Sequence, residues 1–547
     1  MKFSPGHFLF LAAAIFLCAC QTKKSADLLL LHGNIYTVDS AFGRAEAMAV
    51  RDGKILAIGK DADIADNYSA ADTLDLGGRT VFPGFIDAHS HFVEYGNSLF
   101  TDSLYGSASF EEVVSRVKSF SAAHPGLRWI IGRGWDQNKF PGKAFPDNSA
   151  LNRSFPSTPV ALVRVDGHAM IANARALELA GIHPGDSMEG GLAETRNGKL
   201  TGILIDNAQR RVYNVIPAVT PAEFREQVDA AQQRCFAQGL TTLTEPGIGR
   251  REIEMLDSLQ KSGLLKMRIY VMVRDNRADL DYYIPRGPYK TRLLYVKGVK
   301  AYADGALGSR GACLLQPYSD KPGWYGFLRS PVAHFDSLAA RLAGTDWQLC
   351  THAIGDSGNR MILTVYNKYL KGQNDKRWRV EHAQIVDDSD FDLFRKGSII
   401  PSVQPTHATS DMYWAGERLG PQRMKGAYAF RRLLAENGWL PLGTDFPVED
   451  ISPFKTFLAA VFRVDDKGFP AGGFQPENAL TRKDAIRGMT IWAAKADCLE
   501  KETGSLEPGK QADFVILDAD LMTANPREVL QTQVIATYSG GKPVYTR

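Results

Sequence analysis

The chain of 547 residues has only 6 cysteines, and two of them, Cys18 and Cys20, stand close to the N-terminus. The others, Cys235, Cys313, Cys350 and Cys498, are far apart, and no Cys-x-x-Cys occurs. That spacing excludes a disulfide framework and a zinc ribbon and leaves buried single thiols as the expected state. Net charge is equally scarce: 64 Lys and Arg against 61 Asp and Glu, a formal +3. No run of Lys/Arg makes a stripe that could follow a phosphate backbone, so nucleic acid is excluded as a partner. Beyond residue 20 no apolar run is long enough for a transmembrane helix. Internal repeats and low-complexity tracts are also missing. What is present is ordinary globular composition, 44% hydrophobic and 23% charged, in a chain long enough for a large core and more than one domain.

One apolar run does occur, over residues 8–17, behind Lys2. It has the length of a signal-peptide core and is short for a membrane span. It ends in Leu17-Cys18-Ala19-Cys20, followed by the polar Gln21-Thr22-Lys23-Lys24. This resembles the lipobox of bacterial lipoproteins, in which the last Cys is lipidated and becomes the new N-terminus. Residues 1–20 are therefore expected to be a lipoprotein signal peptide and Cys20 the lipidation site. The expected location is exported, held by an N-terminal lipid anchor on a membrane of the cell envelope or periplasm. An ordinary cleaved signal peptide is the alternative.

Residues 27–82 read as short strands separated by Asp, Gly and Asn turns, and residues 500–547 read the same way. Neither end can cover both faces of a sheet alone, so the two are expected to meet in one small β-sandwich domain. Residues 83–499 between them alternate apolar strands with helical stretches, the pattern of parallel βα units. Eight strands are expected, beginning near Phe85, Leu240, Met267, Val296, Gln348, Arg379, Ile399 and Leu440, with helices such as 221–238 and 359–370 between them. The predicted fold class is α/β, a (β/α)₈ TIM barrel. Residues 95–220 are too long for one βα loop and are expected to form an inserted subdomain after strand one.

Barrel enzymes carry their chemistry at the C-terminal ends of the strands. The first strand here ends in His89-Ser90-His91, and residues two apart in a strand face the same way. The fifth ends in His352, the sixth in His382 and the eighth in Asp445. A lone His is more often structural than a ligand. Four His and an Asp at the same end of four strands are poorly explained by chance, and zinc and similar divalent metals prefer such donors. Strand four adds Lys300, whose burial would lower its pKa and free its amine to form a carbamate. Pairing with Asp304 or an outward orientation is the alternative.

His-x-His after strand one, Lys after four, His after five and six and Asp after eight resemble the amidohydrolase superfamily. Further segments, Gly132-Arg-Gly-Trp135-Asp136, Asp166-Gly-His168-Ala, Asp304-Gly-Ala-Leu-Gly-Ser-Arg310, His352-Ala-Ile-Gly-Asp356, Glu381-His382-Ala-Gln, Gln404-Pro-Thr-His407 and Gly443-Thr-Asp445-Phe-Pro-Val, resemble its amidohydrolase-3 branch, which includes N-substituted formamide deformylase. The resemblance covers nearly everything after residue 27. It implies that His89, His91 and Asp445 hold one metal and His352 and His382 another, bridged by a carboxylated Lys300. A mononuclear site of His89, His91, His352 and Asp445 stays open. The cofactor is then a divalent metal, zinc by its ligands, as one or two ions. Metal-bound hydroxide would attack a carbonyl, with Asp445 as general base and then acid.

The expected reaction is hydrolysis of a non-peptide C–N bond in an amide, formamide or cyclic amide of small size. Ester hydrolysis, isomerisation, and ligand or metal binding without turnover are the rivals. His168, Trp135, Asp136 and His407 are candidate substrate-binding residues. His32, His124, His183 and His334 match no motif. A homodimer is compatible with all of this.

Overall fold

A computed structural model describes residues 23–547; the apolar run and Cys20 lie outside them. Seven parallel strands run through the central sheet, in spatial order Ile400–Ser402, Arg379–His382, Gln348–Ala353, Leu294–Tyr302, Arg268–Arg274, Leu240–Ile248 and Phe85–Asp87, and the short Tyr289–Lys290 pairs antiparallel with Leu294–Tyr302. The sheet curls as in a TIM-type barrel. Its strands are buried along nearly their whole length, Gln348–Ala353 at every position. That is the burial expected of a parallel sheet covered on both faces. Helices connect the strands. Pro221–Ala237, for example, starts on a capping box in which Thr220 and Glu223 satisfy each other's backbone N–H groups.

Residues 440–445 were expected to form a regular eighth strand, but they do not pair as one. Leu442 bridges Val403 in parallel on one side. On the other, Ala88 N donates to Leu442 O at 3.2 Å and Asp445 N to His89 O at 2.8 Å. Gly443 permits that approach: a Cβ there would lie 2.6 Å from His89 N.

The chain ends pair directly. Phe514–Leu517 runs antiparallel to Thr80–Pro83, in a six-stranded sheet that also holds Asn34–Tyr36 and the C-terminal strands Val534–Ser539 and Lys542–Thr546. A four-stranded sheet of Lys24–Leu31, Ala47–Arg51, Lys54–Gly59 and Tyr68–Asp75 lies against it. Leu30, Met48, Val50, Val81, Phe514 and Ile516 from the two sheets share one apolar core.

A third sheet, of six strands between Asp102 and Asp206, lies after the first barrel strand. Its core includes Leu104, Val117, Ile130, Trp135, Leu162 and Ile203. Among the described residues no helix is long and apolar enough to cross a membrane.

Candidate metal centre

The first strand delivers two imidazoles to one space. Ser90 turns away from them, its N and Oγ both donating to Thr244 O, at 2.9 and 3.0 Å. His89 is fully buried, and its Nδ1 lies 2.6 Å from Glu381 Oε2. Its Nε2 faces Lys300 Nζ at 3.1 Å and Asp445 Oδ1 at 3.5 Å. His91 Nε2 lies 3.2 Å from the same Asp445 oxygen. The rings of His352 and His382 are 4.5 Å apart, and that of His382 is 4.9 Å from His89. The six residues expected to ligate metal thus converge at one end of the central sheet.

One ligand atom each from His89, His91 and Asp445 lie within 4.8 Å of one another, as do atoms of His382, His407 and Asp445. His352 Nε2, His382 Nδ1 and Asp445 Oδ1 are buried and have no hydrogen-bond partner. Leaving such an atom unpaired costs about 1–3 kcal/mol. Three together, on candidate ligands facing one space, fit a divalent cation. His382 and Asp445 also hold left-handed backbone, at φ 73° and 64°. Non-glycine residues there are strained, and such strain concentrates at functional sites.

The electrostatics favour free lone pairs. Burial drives His352 and His382 well below the usual imidazole range, so both are neutral. Burial, helped by Lys300, pushes His89 down to about 4. Lys300 is itself lowered by burial to about 8, against the pull of Glu381 and Asp445. Its alternative partner, Asp304, instead accepts the N–H groups of Cys313, Ile354 and Gly355 at 2.8–3.0 Å. Burial would raise Asp445, but the hydrogen bond from His407 and the imidazole of His91 close by hold it well below the carboxylate range.

His407 is a different kind of residue. Its Nε2 lies 3.2 Å from Asp445 Oδ2 and its Nδ1 3.0 Å from Glu449 Oε1. Burial would lower its pKa, yet these two carboxylates raise it well above the ordinary value. Although it stands within the second group of close ligand atoms, both of its nitrogens are committed. The geometry makes it a clamp on Asp445 rather than a free ligand.

The insertion supplies the opposite wall. His168 Nδ1 lies 2.6 Å from Asp206 Oδ1, and its ring is 4.9 Å from that of His352. Asp136 borders a cavity of about 1010 Å³ at the mouth but is paired with Arg164 at 2.5 Å. Trp135 corrects an expectation. It is completely buried, donates from its indole N–H to Leu162 O at 2.8 Å, and lines no cavity at the site. It fills the core of the insertion sheet.

Sequence reasoning missed Glu381, Asp206 and Glu449. Glu381 precedes His382 in one strand, and regular alternation would turn one of them away. The positive φ at His382 breaks that alternation and lets both face inward. The sequence signal was the Glu-His pair itself, since a carboxylate behind a ligating His fixes its tautomer.

Strand-end histidines around a buried Asp, on a curled parallel sheet, define a metal-site architecture shared by many hydrolases. Comparison with known proteins makes the family specific. The model of the amidohydrolase-3 group, described as "Amidohydrolase family", matches residues 72–545. The chain is 33% identical over 541 residues to protein LONG AFTER FAR-RED 3 of Arabidopsis thaliana, covering 95% of this chain and 92% of that protein. It is 25% identical to the N-substituted formamide deformylase of Arthrobacter pascens, over 95% and 98% of the two chains. The crystal structure of an uncharacterized metal-dependent hydrolase from Pyrococcus horikoshii superposes with a TM-score of 0.74 at 27% identity, covering 91% of this chain and 99% of that one. This chain belongs to the amidohydrolase family.

Proposed function

We propose that the protein is a metal-dependent hydrolase of a non-peptide C–N bond in a small amide, formamide or cyclic amide. One observation carries this reading: the unpartnered buried atoms of His352, His382 and Asp445 face a single space at the strand ends. In this reading His89, His91, His352, His382 and Asp445 hold one or two divalent ions, zinc by the chemistry of the donors. A bound ion of that kind supplies a hydroxide nucleophile near neutral pH and polarises a carbonyl.

The chain's own residues do the rest. Glu381 holds the tautomer and ring plane of His89. His407 holds Asp445 Oδ2, which leaves Oδ1 to take the nucleophile's proton and return it to the leaving nitrogen. The neutral amine of Lys300 adds to carbon dioxide and releases a proton, giving an anionic carbamate beside His89. His168, fixed by Asp206, meets the substrate from the insertion side. The formamide activity in the name of the Arthrobacter relative supports the substrate class.

The same reading makes the curled sheet a (β/α)₈ barrel completed by residues 440–445. Residues 27–82 and 500–547 form one small β-sandwich domain, and 95–220 form a subdomain over the barrel mouth. From the Leu17-Cys18-Ala19-Cys20 segment we also propose a lipid anchor at Cys20. The test is metal analysis of purified protein, followed by a screen against N-formyl amines, cyclic ureides and esters. Turnover of an amide class that is lost on chelation and restored by zinc is expected. Turnover of esters alone, or of nothing with any metal, overturns it.

A further inference from the structure

The site opens on two sides, and the second cavity, of about 960 Å³, is lined by arginines with few protein partners. His168, His352, His382 and Asp445 border both cavities. The second is also lined by Arg210, Arg274 and Arg329. Arg274 ends the third barrel strand, paired in register with Lys300 on the fourth. Arg210 comes from the short insertion helix Gln209–Tyr213. Arg329 follows the fourth strand, its N donating to Ala303 O at 2.9 Å. Two separate parts of the chain therefore direct guanidinium groups to one wall.

The commitments of these groups differ. The Arg329 guanidinium donates to Asn207 Oδ1 at 3.0 Å and lies 4.6 Å from the Tyr302 ring. Arg274 donates only to the carbonyl of Gly247, at 3.1 Å. For the Arg210 side chain the described residues offer no hydrogen bond or ion pair within contact distance. The nearby carboxylates are engaged elsewhere: Asp275 with His334 at 2.6 Å, Asp206 with His168, and Glu94 with Arg133. All three arginines line this one cavity; burial, then the charge of Arg329 and more weakly that of Arg274, lower the Arg210 pKa against the opposing pull of Tyr302 and Asp275. Cations gathered in this way repel one another until an anion joins them.

Building on the hydrolase reading, we infer that the Arg210 and Arg274 guanidinium groups form an anion subsite that receives a carboxylate on the substrate. A guanidinium fork matches a carboxylate in two parallel hydrogen bonds. One free guanidinium, and one held only through Nε, with Asp275 close by, suit a group of single charge. The Arg274 half of the subsite is one ring from the reacting centre: Gly247, whose carbonyl it holds, lies against Tyr302, a Cβ there being 3.3 Å from the Tyr302 hydroxyl, and the Tyr302 ring is 5.5 Å from that of His352. The substrate is then a short amide whose carboxylate stands a few bonds from the scissile carbonyl.

The test uses matched amides, N-formylglycine against N-formylglycinamide, and the variants Arg210→Met, Arg274→Met and Arg210→Lys. Charge-assisted hydrogen bonds predict that wild type prefers the acid and that each Met variant lowers the acid-to-amide ratio of kcat/KM by about 30-fold. Arg210→Lys should recover part of the loss. An amide turned over as well as the acid, or a ratio unchanged in both Met variants, overturns the proposal and leaves solvated surface cations only. Calorimetry with succinate separates this from the hydrolase reading. If neither N-formyl compound nor any other amide of the screen is turned over but succinate binds wild type at least about 10-fold tighter than Arg210→Met, the anion subsite stands and the hydrolase reading falls. Equal succinate binding without turnover overturns both.

Discussion

The two walls of the site are built on opposite principles. On the barrel wall, His352, His382 and Asp445 hold buried atoms that no protein group satisfies. On the insertion wall most polar groups are saturated: Arg164 by Asp136, Asp166 and Gln137, His168 by Asp206, and Arg133 by Glu94. Saturated ion pairs fix positions; unsatisfied atoms in a low-dielectric space call for a ligand. The difference teaches a division of labour, with the reacting groups on hydrogen-bonded strand ends and the pocket's shape on a braced insertion. The insertion side has exceptions, among them the buried Asp206 Oδ2, Gln209 Oε1 and Asp102 Oδ2, and the cation Arg210 is the one from which the anion subsite follows.

If that division is correct, the largest effect should come from the barrel wall. Asp445→Asn removes the proton acceptor while His89 and His91 remain, so turnover should fall by about 10³-fold or more with metal content largely kept. Steady-state kinetics beside metal analysis reads this, and an active variant ends the assignment. Glu381→Gln acts one step back, through His89. Loss of such a carboxylate weakens metal binding by ~10–100-fold. Competition with a chelator measures it, and unchanged affinity would show that the 2.6 Å contact to His89 does no positioning. On the insertion wall Asp206→Asn should be milder, lowering kcat/KM by about 10-fold with metal affinity unaltered, because only the placement of His168 suffers. Metal loss in that variant would erase the distinction between the walls.

Much of the barrel wall was legible in sequence because strand ends carry a periodic signal. His89 and His91 are two apart, His352 and Asp445 close largely apolar stretches, and His382 ends the short strand Arg379–His382. Lys300 was legible for the same reason, as a charge inside a buried strand. What alternation cannot show is a break in alternation. The left-handed φ at His382 hid Glu381. The irregular path of residues 440–445 hid the missing eighth strand. The insertion wall was harder still. Its groups are held by contacts such as His168 to Asp206, 38 positions apart, and local pattern carries no trace of these. Trp135 illustrates the failure: it lies between motif residues yet points into the insertion core.

The smallest predicted effect tests whether the insertion wall is braced by charge or merely by packing. Asp102 lies on the edge strand of that sheet, buried, with Oδ2 unpartnered. Burial raises its carboxyl to about 6, against the pull of Arg116 and His124. The folded pKa is above the unfolded value near 3.9, so the folded state holds a proton that the unfolded state has lost. This contribution to stability is present below about pH 4 and is lost as pH rises through about 6. Asp102→Asn should therefore flatten the fall in stability between those limits and gain ~1 kcal/mol at pH 7. Denaturant midpoints for wild type and variant at pH 5 and pH 7 measure the slope. Parallel midpoints would mean that water or a local shift already serves Asp102, and that packing alone holds the insertion wall.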